Sequence, residues 1–169
     1  MTGAKLWVAI SAACAALAGC SSSTPPQTAN TDASTSGLGS GDDAGEATCE
    51  NAVGLDTYVA NLTKTGKSGL SFVLMTSDPA PPARGTNNWT LKITDASGAS
   101  IAGAKVDVKP FMPLHGHGSS VVPTISDSGG GAYALDNLYL FMPGLWTITI
   151  TATSGNASDS AVFTFCIAG

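Results

Sequence analysis

From about residue 55 onward the chain alternates apolar and polar positions with a period of two. Leu70, Phe72 and Leu74 fall on one side of LSFVLM, and Trp89, Leu91 and Ile93 on one side of NNWTLKIT. In AKVDVK, Val106 and Val108 stand opposite Lys105, Asp107 and Lys109; in LWTITIT, Trp146, Ile148 and Ile150 stand opposite threonines. Phe163 and Phe165 mark a last segment, AVFTFCI. Successive side chains of an extended chain point to opposite faces, so this pattern predicts strands with one buried and one wet face. No stretch keeps a helical period over three turns. TYVANLTKTGKSG reads as a hairpin, since its threonines and closing glycine fit a turn between strands better than a helix. The gaps SDPAPPARG, DASGAS, DSGGG and TSGNAS carry turn residues. The expected fold is all-β: about seven strands in an immunoglobulin-like antiparallel β-sandwich.

The alternation stops upstream. Residues 1–19 carry one early cation, Lys5, and an apolar run, LWVAISAACAALA, too short and alanine-rich to span a bilayer stably. The run closes on Leu17-Ala18-Gly19-Cys20, the pattern of a bacterial lipobox, which predicts a lipoprotein signal peptide with cleavage before Cys20 and acylation of its thiol. An ordinary secretory signal is the competing reading. Several acyl chains on one cysteine suffice for stable anchoring. Ser21, where an aspartate would hint at inner-membrane retention, favours the outer membrane. Residues 20–48 follow as a lipidated tether, almost throughout Ser, Thr, Gly, Ala, Asp and Pro, with no aromatic residue. That composition buries too little apolar surface to order itself. Its 28 residues beyond Cys20 would span about 30 Å as a flexible coil. Residues 49–169 form one domain of ordinary size.

Charge and cysteine usage narrow the function. The domain has acids and bases in near balance and no basic stripe, which excludes nucleic acid as a partner. Cys14 leaves with the signal peptide and Cys20 takes the lipid. Cys49 and Cys166 then remain near the two ends of an exported domain, where a disulfide is the default. A pair of soft metal ligands is the alternative for these two cysteines.

One stretch carries candidate chemistry. Both histidines of the chain, His115 and His117, sit in FMPLHGHG, and the tripeptide Phe-Met-Pro returns at 141–143 in FMPGLW. On an extended strand, residues two apart share a face, so the imidazoles project together. Imidazole binds copper and zinc, and thioether narrows the choice toward copper, Cu(I) in particular. Met112, His115, His117 and Met142 are therefore a candidate soft site that needs no thiolate. Each member has a bland alternative. Met112 shares a face with Val106 and Val108, and Met142 with Leu138 and Leu140, so both could be core; Pro110 and Pro113 leave the register open. The two tripeptides are expected to converge at one end of the sandwich, with a proline after each methionine turning the chain and leaving the thioethers at a loop edge. Catalysis is not expected: no serine sits in a nucleophile elbow, no carboxylate adjoins either histidine in sequence, and DSGGG lacks the lysine and helix of a phosphate loop.

The combination of Pro81-Pro82, Gly85-Thr86-Asn87, MPLHGHG, Gly131-Ala132-Tyr133 and MPGLWTITI resembles the YtkA-like domain family, itself similar to the FixH-like proteins. The resemblance runs from about Leu70 to Thr151, and its most specific pieces are the two methionine-proline segments. It implies an immunoglobulin-like sandwich and copper handling in the cell envelope, with Met112, His115, His117 and Met142 as the residues carried over. The expected function is a membrane-anchored lipoprotein that buffers copper or hands it to an accepting envelope protein. The alternative is a non-metal sandwich that binds another envelope protein or serves as a structural module.

Overall fold

The computed structural model describes Cys49 and residues 52–169. The expected signal peptide, Cys20 and the expected tether lie outside the described residues. The described chain contains nine strands and no helix: β1 (Leu62–Thr65), β2 (Ser71–Asp78), β3 (Gly85–Thr94), β4 (Lys105–Met112), β5 (His117–Gly118), β6 (Thr124–Gly129), β7 (Ala132–Leu140), β8 (Gly144–Ser154) and β9 (Ala157–Ile167). They form two antiparallel sheets, β1-β2-β3-β7-β6 and β5-β4-β8-β9. The all-β sandwich is as expected. The count exceeds seven because two short edge pieces, β1 and β5, pair as well.

The alternation becomes the core. Phe72, Leu74, Leu91 and Ile93 from one sheet and Trp146, Ile148, Ile150 and Phe163 from the other are fully buried. Trp89 meets the edges of Phe163 and Phe165 across the sandwich, at centroid distances of 6.2 and 5.8 Å. Edge-to-face contact is a favoured aromatic geometry and adds about 0.5–1.5 kcal/mol per pair beyond area burial. TYVANLTKTGKSG contributes β1 and the turn into β2, the hairpin its composition predicts.

Two polar side chains hold the frame. The Tyr133 hydroxyl donates to the Ile101 carbonyl (2.8 Å) and accepts from Ala104 N–H (2.9 Å), latching β7 to the loop before β4. Asn87 is fully buried, yet its amide donates to the Ala83 carbonyl (2.7 Å) and its oxygen accepts from Ala83 N–H (2.9 Å), which closes the loop between β2 and β3. A buried amide left unpaired would cost about 1–3 kcal/mol, so both partners matter.

Cys49 and Cys166 form a disulfide, with Cα atoms 5.4 Å apart. It ties the start of the domain to β9, outside the sandwich core, as their positions near the domain ends predict.

Candidate functional site

The register brings both Phe-Met-Pro segments to one end of the sandwich. β4 lies beside β8, with Phe111 opposite Thr147. Residues 141–143 connect β7 to β8 at that same end. The second segment reaches the turn and strand that follow the first: the Phe141 ring stacks on His117 at 5.6 Å and 23°.

The histidine segment is a tight hairpin. After Met112 the chain turns through Pro113-Leu114-His115-Gly116, and the N–H groups of His115 and Gly116 both donate to the Met112 carbonyl, at 3.2 and 3.0 Å. Gly116 has φ of 67°, the left-handed region that glycine reaches at little cost. The chain then returns as β5, with His117 opposite Met112 and Gly118 opposite Phe111. A Cβ on Gly118 would stand 2.6 Å from the Pro110 carbonyl oxygen, so only glycine permits this approach. That carbonyl faces β5; the missing N–H of Pro110 points the same way, toward the sheet edge, where proline is tolerated.

This geometry corrects one expectation and keeps its consequence. The two histidines do not share a strand face: His115 sits in the turn and only His117 belongs to a strand. The turn nonetheless leaves their rings 5.6 Å apart at a tilt of 36°. His115 is exposed and His117 half-buried.

The methionines are placed differently from each other. Met112 continues the buried alternation of Val108 and Pro110 and is 0% exposed. Its terminal methyl lies 3.1 Å from where a side chain on Gly144 would begin. The proline after it ends β4, but its thioether lies in the core and not at a loop edge. Met142 is half-buried and packs on the margin of the core. Its carbonyl accepts the Trp146 indole N–H at 2.9 Å.

Two imidazoles on a common ion, with metal–nitrogen bonds of about 2.0–2.1 Å, have ring centroids about 5–6 Å apart. The observed separation fits. Residues opposite each other in an antiparallel pair project to the same face with Cβ atoms about 5 Å apart, so Met112 and His117 share a side of the hairpin. Among the described residues no three of His, Cys, Asp and Glu gather closely enough to hold an ion. An ion here would therefore have two imidazoles, completed by thioether, carbonyl or water, a donor set that suits copper better than zinc or calcium. Among the described residues the one ion pair is Lys64–Asp56, so no carboxylate orients either imidazole.

Two residues beyond those expected belong to this end. Phe141 lies between His117 and Tyr139, stacked on the latter at 6.2 Å and 23°, and meets Trp146 edge to face at 78°. The signal for them is a slip in the alternation of AYALDNLYLF. Tyr133 and Leu135 are buried at odd positions, whereas Leu138 and Leu140 are buried at even ones. Asn137, with φ of 61°, absorbs the extra residue in a bulge against β3. Without that slip Tyr139 and Phe141 would face the core.

No curated protein and no solved structure gives a significant match to the chain. The sequence pattern of the YtkA-like family matches residues 64–151, from β1 into β8 and through both methionine-proline segments, slightly more than half of the chain. The chain belongs to the YtkA-like family.

Proposed function

We propose that this YtkA-like protein is an envelope lipoprotein, anchored through an acylated Cys20, that binds copper at the hairpin end of its sandwich. His115 and His117 supply two imidazole nitrogens, and the half-buried Met142 supplies a thioether, a soft donor that favours Cu(I), whereas Met112 stays in the core. The observation that carries this reading is the approach of the two imidazoles to 5.6 Å. Both cysteines of the domain are tied in a disulfide, so thiolate is not offered and the soft character must come from methionine. The exposed position of His115 at a turn tip suits an ion that is buffered or handed to an accepting envelope protein. The role is binding rather than catalysis.

Titration of the purified chain with Cu(I), in competition with a chromophoric chelator, tests the copper reading. Wild-type protein should bind one equivalent, and the His115→Ala/His117→Ala double variant should lose at least about 100-fold in affinity while unfolding at an unchanged temperature. Retention of affinity in the double variant excludes this site. Anchoring is checked by fractionation: Cys20→Ala should move the chain out of the membrane fraction, and continued membrane retention would exclude a lipid anchor at this cysteine.

One observation favours a second reading, a module that binds another envelope protein without metal. A groove of about 470 Å³ runs beside the hairpin, where Val121 and Val122 line it. Val122 is 83% exposed. A wild-type chain that takes up no copper would leave this reading in its place.

A further inference from the structure

A histidine on a surface hairpin rotates about two side-chain torsions, and metal binding must freeze both. At His117 the freezing is already in place. Phe141 lies nearly parallel to its ring, 5.6 Å away at 23°. Phe141 is itself held on several sides. Its outer face stacks on Tyr139, its ring meets Trp146 edge to face, and its carbonyl accepts the Arg84 Nε–H at 3.0 Å. Trp146 is fully buried and fixed by its indole bond to the Met142 carbonyl. The His117 imidazole therefore rests on a wall anchored in the core, and the bulge at Asn137 is what turns that wall outward.

We propose that Phe141 is a positioning residue: its ring fixes the plane of the His117 imidazole and shields one side of it from water, which raises the affinity of the histidine pair for the cuprous ion. The effect on copper rests on reading His115 and His117 as ligands; the stack does not. Two consequences follow from the chemistry. A pre-oriented imidazole loses less freedom on binding, so affinity rises without a new bond to the metal. An apolar wall beside the site also disfavours the more highly charged ion, which tilts the preference toward Cu(I) over Cu(II).

The test compares full-length wild type with Phe141→Tyr, which keeps a ring, and Phe141→Leu, which keeps bulk and loses the ring. Proton NMR of the metal-free chains reads the stack directly, because the Phe141 ring current shifts the carbon-bound protons of the His117 imidazole. Those resonances should move toward free-histidine positions in Phe141→Leu and stay near wild type in Phe141→Tyr. Cu(I) affinity should fall about two- to tenfold in the leucine variant and stay within about twofold in the tyrosine variant. A purely supportive role would lower thermal stability without separating leucine from tyrosine in either readout. Unchanged imidazole resonances, or wild-type copper affinity, in a folded leucine variant would overturn the proposal. Should Phe141→Leu not fold, Phe141→Ile takes its place. A wild-type chain that binds no Cu(I) defeats the copper reading alone; the imidazole resonances of the variants then decide whether Phe141 positions His117.

Discussion

Asp159 of β9 decides how the edges of the two sheets close at the end opposite the histidines. Burial by itself raises its carboxyl, but N–H groups of Leu70, Ser160 and Ser68 donate to it and outweigh that, holding it below the usual carboxylate range. Ser68 and Leu70 N–H reach one oxygen at 2.9 and 3.0 Å, and Ser160 N–H reaches the other at 2.9 Å. The turn from β1 to β2 wraps this close because residue 66 is glycine: a Cβ there would stand 2.3 Å from the carboxylate. A lowered folded-state value means that the ionised form stabilises the fold. That stability is fully present above the unfolded carboxylate range, near pH 4, and is lost as pH falls through the lowered folded value. Asp159→Asn places amide hydrogens against backbone donors and should destabilise the domain by about 1–3 kcal/mol at neutral pH. Urea unfolding should also show the variant losing less stability than wild type between pH 5 and the acid limit, about the two-unit span of a carboxylate titration. Equal acid sensitivity in both chains would mean that this carboxylate does not carry the linkage.

Among the elements, the long strands and the β1–β2 hairpin are legible in the sequence, and the two-residue β5 and the bulge in β7 are not. Trp89, Leu91 and Ile93 are all buried as their spacing predicts, as are Trp146, Ile148 and Ile150. Within one strand the pleat converts sequence parity directly into inside and outside. Parity fails wherever a residue is inserted, and the bulge at Asn137 depends on a positive φ and on β3 lying alongside, neither of which a local pattern encodes. β5 carries no sequence signal for a related reason. Two residues show no period, and His117–Gly118 is a strand only because it returns along Phe111 and Met112. The candidate site inherits this mixture. Sequence alone placed both histidines together, but by strand alternation where the structure uses a four-residue turn. Parity leaves Met112 open between core and ligand; the regular alternation of burial at Val108 and Pro110 puts its side chain inside. The convergence of the two tripeptides was readable from where their strands run. The stacking of Phe141 on His117 was not, since it requires both the slip and the hairpin.

At the scale of the whole molecule, two kinds of closure act on the sandwich. Side chains join the sheets noncovalently: Trp89 against Phe163 and Phe165 at the centre, Asp159 at one end, and Asp56 beside β9, where its carboxylate accepts Thr164 N–H at 2.8 Å and pairs with Lys64. The Cys49–Cys166 disulfide adds a covalent closure across 117 positions of sequence. These closures act on different states. The side-chain contacts exist only in the folded protein, whereas the disulfide mainly removes conformations from the unfolded chain. For a loop of this length the chain-entropy model gives about 4–5 kcal/mol. The Cys49→Ser/Cys166→Ser variant should therefore still form the same sheets, with an unchanged far-ultraviolet circular dichroism spectrum. Its thermal midpoint should drop by roughly 10–25 °C, following the usual relation between stability and midpoint for a domain of this size. The hairpin end adds a local readout. Cys166 lies opposite Leu145 in the pairing of β9 with β8, next to Gly144, whose absent side chain makes room for Met112. If the bridge acts only on the unfolded state, the His117 imidazole resonances of the variant at 25 °C should match wild type despite the lower midpoint. A midpoint within about 3 °C of wild type would mean that the pairing of domain ends contributes little. Displaced imidazole resonances would mean that the bridge also shapes the folded hairpin end.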